Sequence, residues 1–551
     1  MATSSSAQAD HRGYRHPFLL GAHYLGGVGD EPRTLVELAM CQFSASIRST
    51  EKWWIEFRDD KFRDHWLMYA KNRPWIIHTA SGRAEVLLSD KQIKYILDEL
   101  EGYAALRNDA WGCQVSCFER IWQSDAPLDP SVTVQLVEGL EKIVPSSYDG
   151  IQKSVIDPTL YCLVYNKTLV SHKNGKIYCA VPPAPSQYHG PNFALLPSEV
   201  SVPLDGSAVR FVSYINNLHP DSHKSLYSLL ETLLTRFIPL FEHSLTDLHR
   251  NNPIRLRIPG ACKYTVWEEP EQPEHSDDEE GWNEYRKRHR QWSINRPLNL
   301  PDVPFGGYPG GLEARRHKVS LRGHTIQVVV RTLTIALDSK NHTSFPGLPW
   351  HVEGTKNERI VASGIYCLSN AKDNIIEPVA QFRMAVTYPR GFSAGDEGAT
   401  LRTWGLANGD PCHQYIGEVK LLTGRSLVFP NIYQYALKPI KLRDPSRKGH
   451  LNLIFFHLID PETRPVISTS VVSPQQEEWI SAVVYQALRT RLPTELIEQV
   501  VQNIEGLLTA GEAGMHREDF FAMQKQFSEA NNRDYFCIPF DVWQGPHVLP
   551  H

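Results

Sequence analysis

The chain has 551 residues, of which 41% are apolar and 22% charged, with 57 basic against 62 acidic side chains. This is ordinary globular usage and excludes a disordered chain, while the formal charge of −5 argues against a general nucleic-acid or membrane-surface binder. No run approaches the ~18 apolar residues of a membrane-spanning helix. Residues 1–16 lack the apolar stretch of a secretory leader, and nine scattered cysteines do not suggest a disulfide framework. The expectation is a cytoplasmic protein with reduced thiols and neither nucleic-acid nor membrane partners; the oligomeric state is open.

In chain order, the first third reads as mainly helical. Thr34-Leu-Val-Glu37 and Ser89-Asp-Lys-Gln92 are capping-box patterns. The second precedes an apolar stripe of Ile93, Ile96, Leu97, Leu100 and Tyr103. Cys113 and Cys117 would share a face if helical and pack there, with no second pair at zinc-ribbon spacing. Residues 157–215 read as short strands and proline-rich loops such as Val181-Pro-Pro-Ala-Pro185. A strong helical pattern covers 222–249, where Pro239 is expected to kink or break the helix. The acidic run from Glu268 to Glu280 and the basic run from Arg286 to Arg290 read as an exposed charged loop.

From about residue 320 to 475 the pattern changes to β-branched residues in strand-length runs. These are His324–Leu337, Arg359–Leu368, Ala380–Tyr388, Arg425–Leu437 and His450–Asp460, separated by Gly, Pro, Asn and Asp. Helical pattern returns at Pro493–Val501 and over 515–530. The class is therefore α+β. A mainly helical part (1–267) and a charged loop (268–295) precede a β domain (296–480), with C-terminal helices (481–551). Strands at this spacing suit a sandwich, barrel or jelly roll.

The chemistry is carried by Ser344-Phe-Pro-Gly-Leu-Pro-Trp-His-Val-Glu-Gly354. In an extended chain, His351 and Glu353 point to one face and can converge on one metal ion. With a distant histidine, such a pair makes the facial triad of non-haem Fe(II) oxygenases. A zincin is excluded, because it needs His-Glu-x-x-His on a helix, and no Walker or dinucleotide fingerprint stands in context.

The stretches QVVVRTLTIAL, FPGLPWHVEGTKNERIVASGIYCL, GRSLVFPNIYQYALKPIKL, DPSRKGHLNLIFFHLIDP and VISTSVVSPQQEEW resemble the fungal family DUF4246, as does the lead-in from Pro17 to Trp66. That family is similar to 2-oxoglutarate-dependent Fe(II) oxygenases. The resemblance implies a double-stranded β-helix (jelly-roll) core wrapped by helices, with Fe(II) and 2-oxoglutarate as cofactors. It also implies a small-metabolite substrate, such as an amino-acid derivative of fungal secondary metabolism, with hydroxylation, desaturation or cyclisation as the outcome. His351 and Glu353 become the first two iron ligands. The third is expected after Phe429-Pro-Asn431, where the family reads Gln-His-Arg and this chain reads Gln434-Tyr435-Ala436. After Gly449-His450 the family has an arginine for the far carboxylate of 2-oxoglutarate, and this chain has Leu451.

Several readings of these departures are open. Tyr435 can ligate as a phenolate, or His413 can be recruited with Arg425 downstream of it. His450 and His457 are further candidates, although His457 shares a strand face with Leu451, Leu453 and Phe455 and reads as core. Arg331, Arg383 or Arg425 can replace the missing arginine. Thr343, Phe345 and Trp350 are expected to wall the pocket, and Asn357 and Glu358 to orient the ligands. The alternative is a non-catalytic family member with a degenerate metal site, acting as a binding or accessory protein.

Overall fold

A computed structural model describes residues 14, 29–143, 152–171, 175–183, 192–264, 268–338, 343–368 and 374–543. Residues 184 and 185 of the proline-rich loop, and 17–28 of the lead-in, lie outside these. Eight strands position the site: β1 (Thr325–Leu337), β2 (Leu348–His351), β3 (Ile360–Cys367), β4 (Val379–Ala385), β5 (His413–Lys420), β6 (Ser426–Pro430), β7 (Tyr433–Leu437) and β8 (Gly449–Ile459). One sheet carries them in the order β1-β8-β3-β6 and the other in the order β2-β7-β4-β5. All these pairings are antiparallel. Along the chain, the strands therefore fall in the large, small, large, small, small, large, small and large sheet. Among the described residues no pairing closes either sheet on itself, so the architecture is a mixed α and β fold with antiparallel sheets.

Side-chain alternation decides what lies between the sheets. Val329 and Ser363 flank His457 in register, and Arg331 flanks Phe455. In the small sheet, Tyr435 lies between His351 and Phe382. Phe429 bridges the two inner faces, with ring centroids 5.0 Å from Phe382 and 4.9 Å from Tyr435. The opposite face of the large sheet is covered by the helix Lys224–Leu248, where Phe237 meets Phe456 at 5.2 Å. Gly364 permits that approach, since a Cβ there would lie 2.6 Å from the Phe237 ring.

The N-terminal part is not only helical. Strands Cys113–Val115 and Trp122–Ser124 extend the large sheet beyond β6, and Ser198–Ser201 with Arg210–Phe211 extend it beyond β1. Backbone pairing thus crosses residue 296. Cys113 sits on a strand rather than a helix, because its segment pairs with Trp122–Ser124; it and Cys117 are nonetheless buried. All nine cysteines are free. Trp75–Thr79 and Gly82–Val86 form a further hairpin.

Pro239 does not break its helix, which runs from Lys224 to Leu248. Proline inside a helix costs about 3 kcal/mol. Burying Phe237, Ile238, Leu240 and Phe241 returns roughly 1.5–3 kcal/mol for each side chain. The charged segment is not a loop throughout, since Glu279–Asn295 is helical. Asp278 caps it by accepting the Gly281 N–H, and Glu279 and Glu280 sit favourably in the first turn. Buried Ser293 anchors it through a 2.8 Å bond to Asp396. The C-terminal helices are Glu477–Leu488, Thr494–Gln502 and Ala510–Asn531. No helix among the described residues is long and apolar enough to cross a membrane.

Candidate metal centre

Strand β2 ends at His351, and the chain turns immediately after Glu353. Gly354 adopts φ +70°, and a Cβ there would lie 2.6 Å from Glu358 Oε2, so the turn needs glycine. Asn431 fixes the backbone of Glu353 from both sides. Its Oδ1 accepts the Glu353 N–H, and its Nδ2 donates to the Glu353 carbonyl, both at 2.9 Å. Val352 packs away from the site with Ala385, Tyr535 and Phe536. His351 and Glu353 then converge, with Nε2 3.6 Å from Oε1.

His351 Nδ1 lies 2.7 Å from the Pro349 carbonyl, which can only accept, so Nδ1 is the donor there and Nε2 is the nitrogen turned to the Glu353 carboxylate. An imidazole nitrogen and a carboxylate oxygen turned to one point are a pairing that a cation can bridge. Burial opposes ionisation of Glu353, but His457, His351 and Arg331 outweigh it and hold its carboxyl well below the usual range.

Three further side chains surround Glu353. Buried His457 places Nε2 4.0 Å from Oε2, while its Nδ1 meets Ser363 Oγ at 3.0 Å. Burial depresses the His457 pKa, which favours the neutral imidazole that ligation requires. Arg331 brings Nη1 within 4.0 Å of Oε2 and lies over the Phe455 ring. Tyr435 donates to Oε1 at 2.6 Å. Burial, reinforced by Glu353, pushes the Tyr435 hydroxyl well up, so it stands beside the carboxylate as a neutral phenol. His351 and Arg331 remain partly exposed, at 21% and 27% of the side chain, which leaves one side of the group open.

The other expected site residues lie elsewhere. Arg383 pairs with Gln434, one residue out of step with Phe382 and Tyr435, so it leaves the opposite face of the small sheet. There it donates to Gln434 Oε1 at 2.6 Å and covers the Trp350 ring, which packs on Tyr415. Trp350 therefore belongs to that outer cluster rather than to the space around Glu353. His413 is held there as well, its Nδ1 2.9 Å from the Phe536 carbonyl and its Nε2 3.3 Å from Arg383 Nη1. Burial, with Arg383 adding to it, lowers its pKa to about 4. Arg425 forks onto Asp125 at 2.6 and 2.8 Å. Thr343 is exposed, His450 is exposed, and Phe345 is buried opposite Ile440. Glu358 and Asn357 build the turn, the former accepting the Leu195 and Thr355 N–H groups and the latter meeting Thr355 and Tyr165.

The family model described as "Protein of unknown function (DUF4246)" matches residues 90–483. The chain belongs to the DUF4246 family. No curated protein sequence matches it. Among solved structures it is similar to a selenomethionine-labelled Fe(II)/(alpha)ketoglutarate-dependent dioxygenase, TqaL. That likeness has 8% identity and a TM-score of 0.26, over 79% of this chain and 93% of that one. IDO from Bacillus thuringiensis is 13% identical over 25% of this chain and 47% of its own, with a TM-score of 0.16. Vicilin from hazelnut (Corylus avellana) is 13% identical over 33% and 36%, with a TM-score of 0.14. The DUF4246 match itself spans all eight strands and every side chain around Glu353.

Two members of this DUF4246 centre, Ser363 and Asn431, escape sequence reasoning. His457, a further candidate that reads chiefly as core, is buried and also faces Glu353. Ser363 and Asn431 carry no signal apart from a serine within an apolar strand and an asparagine after Pro430.

Proposed function

We propose that this DUF4246 protein is a 2-oxoglutarate-dependent Fe(II) oxygenase acting on a small metabolite, such as an amino-acid derivative. His351, Glu353 and His457 are its iron ligands. The observation that carries the reading is the convergence of His351 Nε2 on Glu353 Oε1 at 3.6 Å, with buried His457 Nε2 4.0 Å from the other carboxylate oxygen. Two imidazoles and one carboxylate are the donor set of a non-haem Fe(II) oxygenase. The alternation of eight antiparallel strands between two sheets supports a double-stranded β-helix, or jelly roll, around it.

Bound at this centre, Fe(II) and 2-oxoglutarate supply dioxygen-driven oxidation. The chain's own residues prepare for it. Ser363 bonds His457 Nδ1 and turns Nε2 toward Glu353. Asn431 clamps the backbone that carries Glu353. The Tyr435 hydroxyl occupies one lone pair of Oε1 and fixes the carboxylate's orientation. Arg331 is the cation beside the centre and is assigned to a carboxylate of the cosubstrate, in place of the arginine that Leu451 replaces. The partly exposed edges of His351 and Arg331 mark the side from which substrate enters.

The test is an anaerobic Fe(II) titration with 2-oxoglutarate, reading the visible charge-transfer band of the chelate. A band in the native chain that vanishes in His351→Ala and in His457→Ala is the expected result. A second reading, a non-catalytic member acting as a binding or accessory protein, is favoured by the Tyr435–Glu353 hydrogen bond and by Leu451. No band and no retained iron in folded protein would establish that reading and sink the first.

A further inference from the structure

A second set of metal-ligating groups lies outside this centre. His249, His317 and Glu462 come from the end of the helix Lys224–Leu248, the segment before β1 and the segment after β8. Each offers one ligand atom, and these atoms all lie within 4.8 Å of one another. The two imidazoles stack at 3.9 Å between centroids and 20° between planes. A neutral imidazole carries one nitrogen lone pair that can ligate a metal.

An independent observation points to the same place. Tyr14 is only 3% exposed, and its ring meets His249 edge-on at 5.8 Å. Its backbone forms a bridge with His249. Its hydroxyl faces Glu462, whose carboxylate adds to burial in pushing the phenol well up. A buried hydroxyl beside a carboxylate and two imidazoles makes one set of oxygen and nitrogen donors turned to the same point.

We propose that His249, His317 and Glu462, with the Tyr14 hydroxyl alongside, bind one divalent transition-metal ion of the zinc class. Two imidazoles and a carboxylate are a zinc donor set, whereas calcium and magnesium prefer all-oxygen shells. The three ligands are far apart in sequence, so the ion clamps the end of the long helix to the strand β8 exit and to the segment leading into β1. His249 Nδ1 accepts the Asn251 N–H at 3.2 Å, which holds the ring in place. Beside His317 lies a cavity of about 430 Å³, lined also by Arg250, Asn251, Pro253 and Arg316, which gives an ion a path from solvent.

The test uses the full chain, stripped with a chelator and titrated with Zn(II) against a chromophoric competitor. Thermal unfolding is followed in the same samples. The expected result is that Glu462→Gln and His317→Ala each lose one equivalent of bound zinc and the zinc-dependent rise in Tm. His351→Ala should keep both. Glu462 is exposed, so its substitution leaves folding intact even if His317→Ala does not fold. Equal zinc binding and an equal Tm rise in Glu462→Gln and the native chain would overturn the proposal. So would a native chain whose zinc uptake disappears altogether in His351→Ala. Because the two centres share no residue, failure of the iron reading leaves this result unaffected.

Discussion

Strands β4 and β7 carry two polar clusters that differ by a single step in the chain. On the inner face, Tyr435 reaches Glu353, with His351, His457 and Arg331 around it. On the outer face, Gln434 and Arg383 join His413, Trp350 and Asn532. The outer cluster is complete in itself: His413 gives its Nδ1 proton to a carbonyl and turns its Nε2 to Arg383, which also donates to Gln434. In the inner cluster His351 Nε2, His457 Nε2 and Arg331 Nη1 instead converge on one carboxylate at 3.6, 4.0 and 4.0 Å. His351 and His413 therefore have different chemical prospects. What separates them is whether the ring nitrogens are spent on fixed neighbours or turned to a carboxylate that an ion can share.

The largest expected effect breaks this contrast outright. Glu353→Gln should abolish iron retention after anaerobic reconstitution and desalting, and His413→Ala should leave it unchanged. Equal loss in both variants would move the metal to the outer face. Next in size is an acid effect from the outer cluster. With a folded pKa of about 4 against ~6.5 unfolded, His413 contributes roughly 3 kcal/mol of stability. That contribution is complete above the unfolded value and is lost as pH falls toward 4, because the unfolded chain takes up the proton first. Urea unfolding at pH 7 and pH 4.5 should show the drop, and His413→Gln should flatten it.

Tyr435→Phe removes a hydrogen bond to a charged acceptor and should cost about 1.5–3 kcal/mol in unfolding free energy, with iron retained. Loss of iron in that variant would instead make the phenol a ligand. The smallest effect sharpens the role of His457: Ser363→Ala frees its ring and should weaken Fe(II) affinity by about ten- to a hundredfold. A competition titration that finds no change would remove His457 from the ligand set.

Much of the fold was legible. The cap at Ser89 forms as the full capping box, while Thr34 forms the N-cap without the return bond, because Glu37 turns its carboxylate to Arg33 and the Arg257 N–H. Four long strands appear within a few residues of their sequence limits, since β-branched alternation is a local property. The run Arg425–Leu437 is two strands, β6 and β7, which belong to different sheets and are divided at Asn431 and Ile432. Strand β5 left no clear pattern, its polar and apolar residues being broken by Gly417 at φ +137°. Of the site, the His351–Glu353 pair was readable as a spacing. The choice among His413, His450 and His457 was not, because it depends on register between distant strands.

By itself the sequence determined the class, the main helices and strands, and a histidine and a carboxylate two residues apart on one face. These follow from periodicity and near-neighbour geometry, which the backbone enforces locally. Only the tertiary structure decided that His457 faces Glu353 while His413 is held by Arg383. It also decided that Tyr435 meets the carboxylate as a hydrogen-bond donor. The physical reason is that strand alternation gives each side chain one of two faces, whereas the register between distant strands selects its partners.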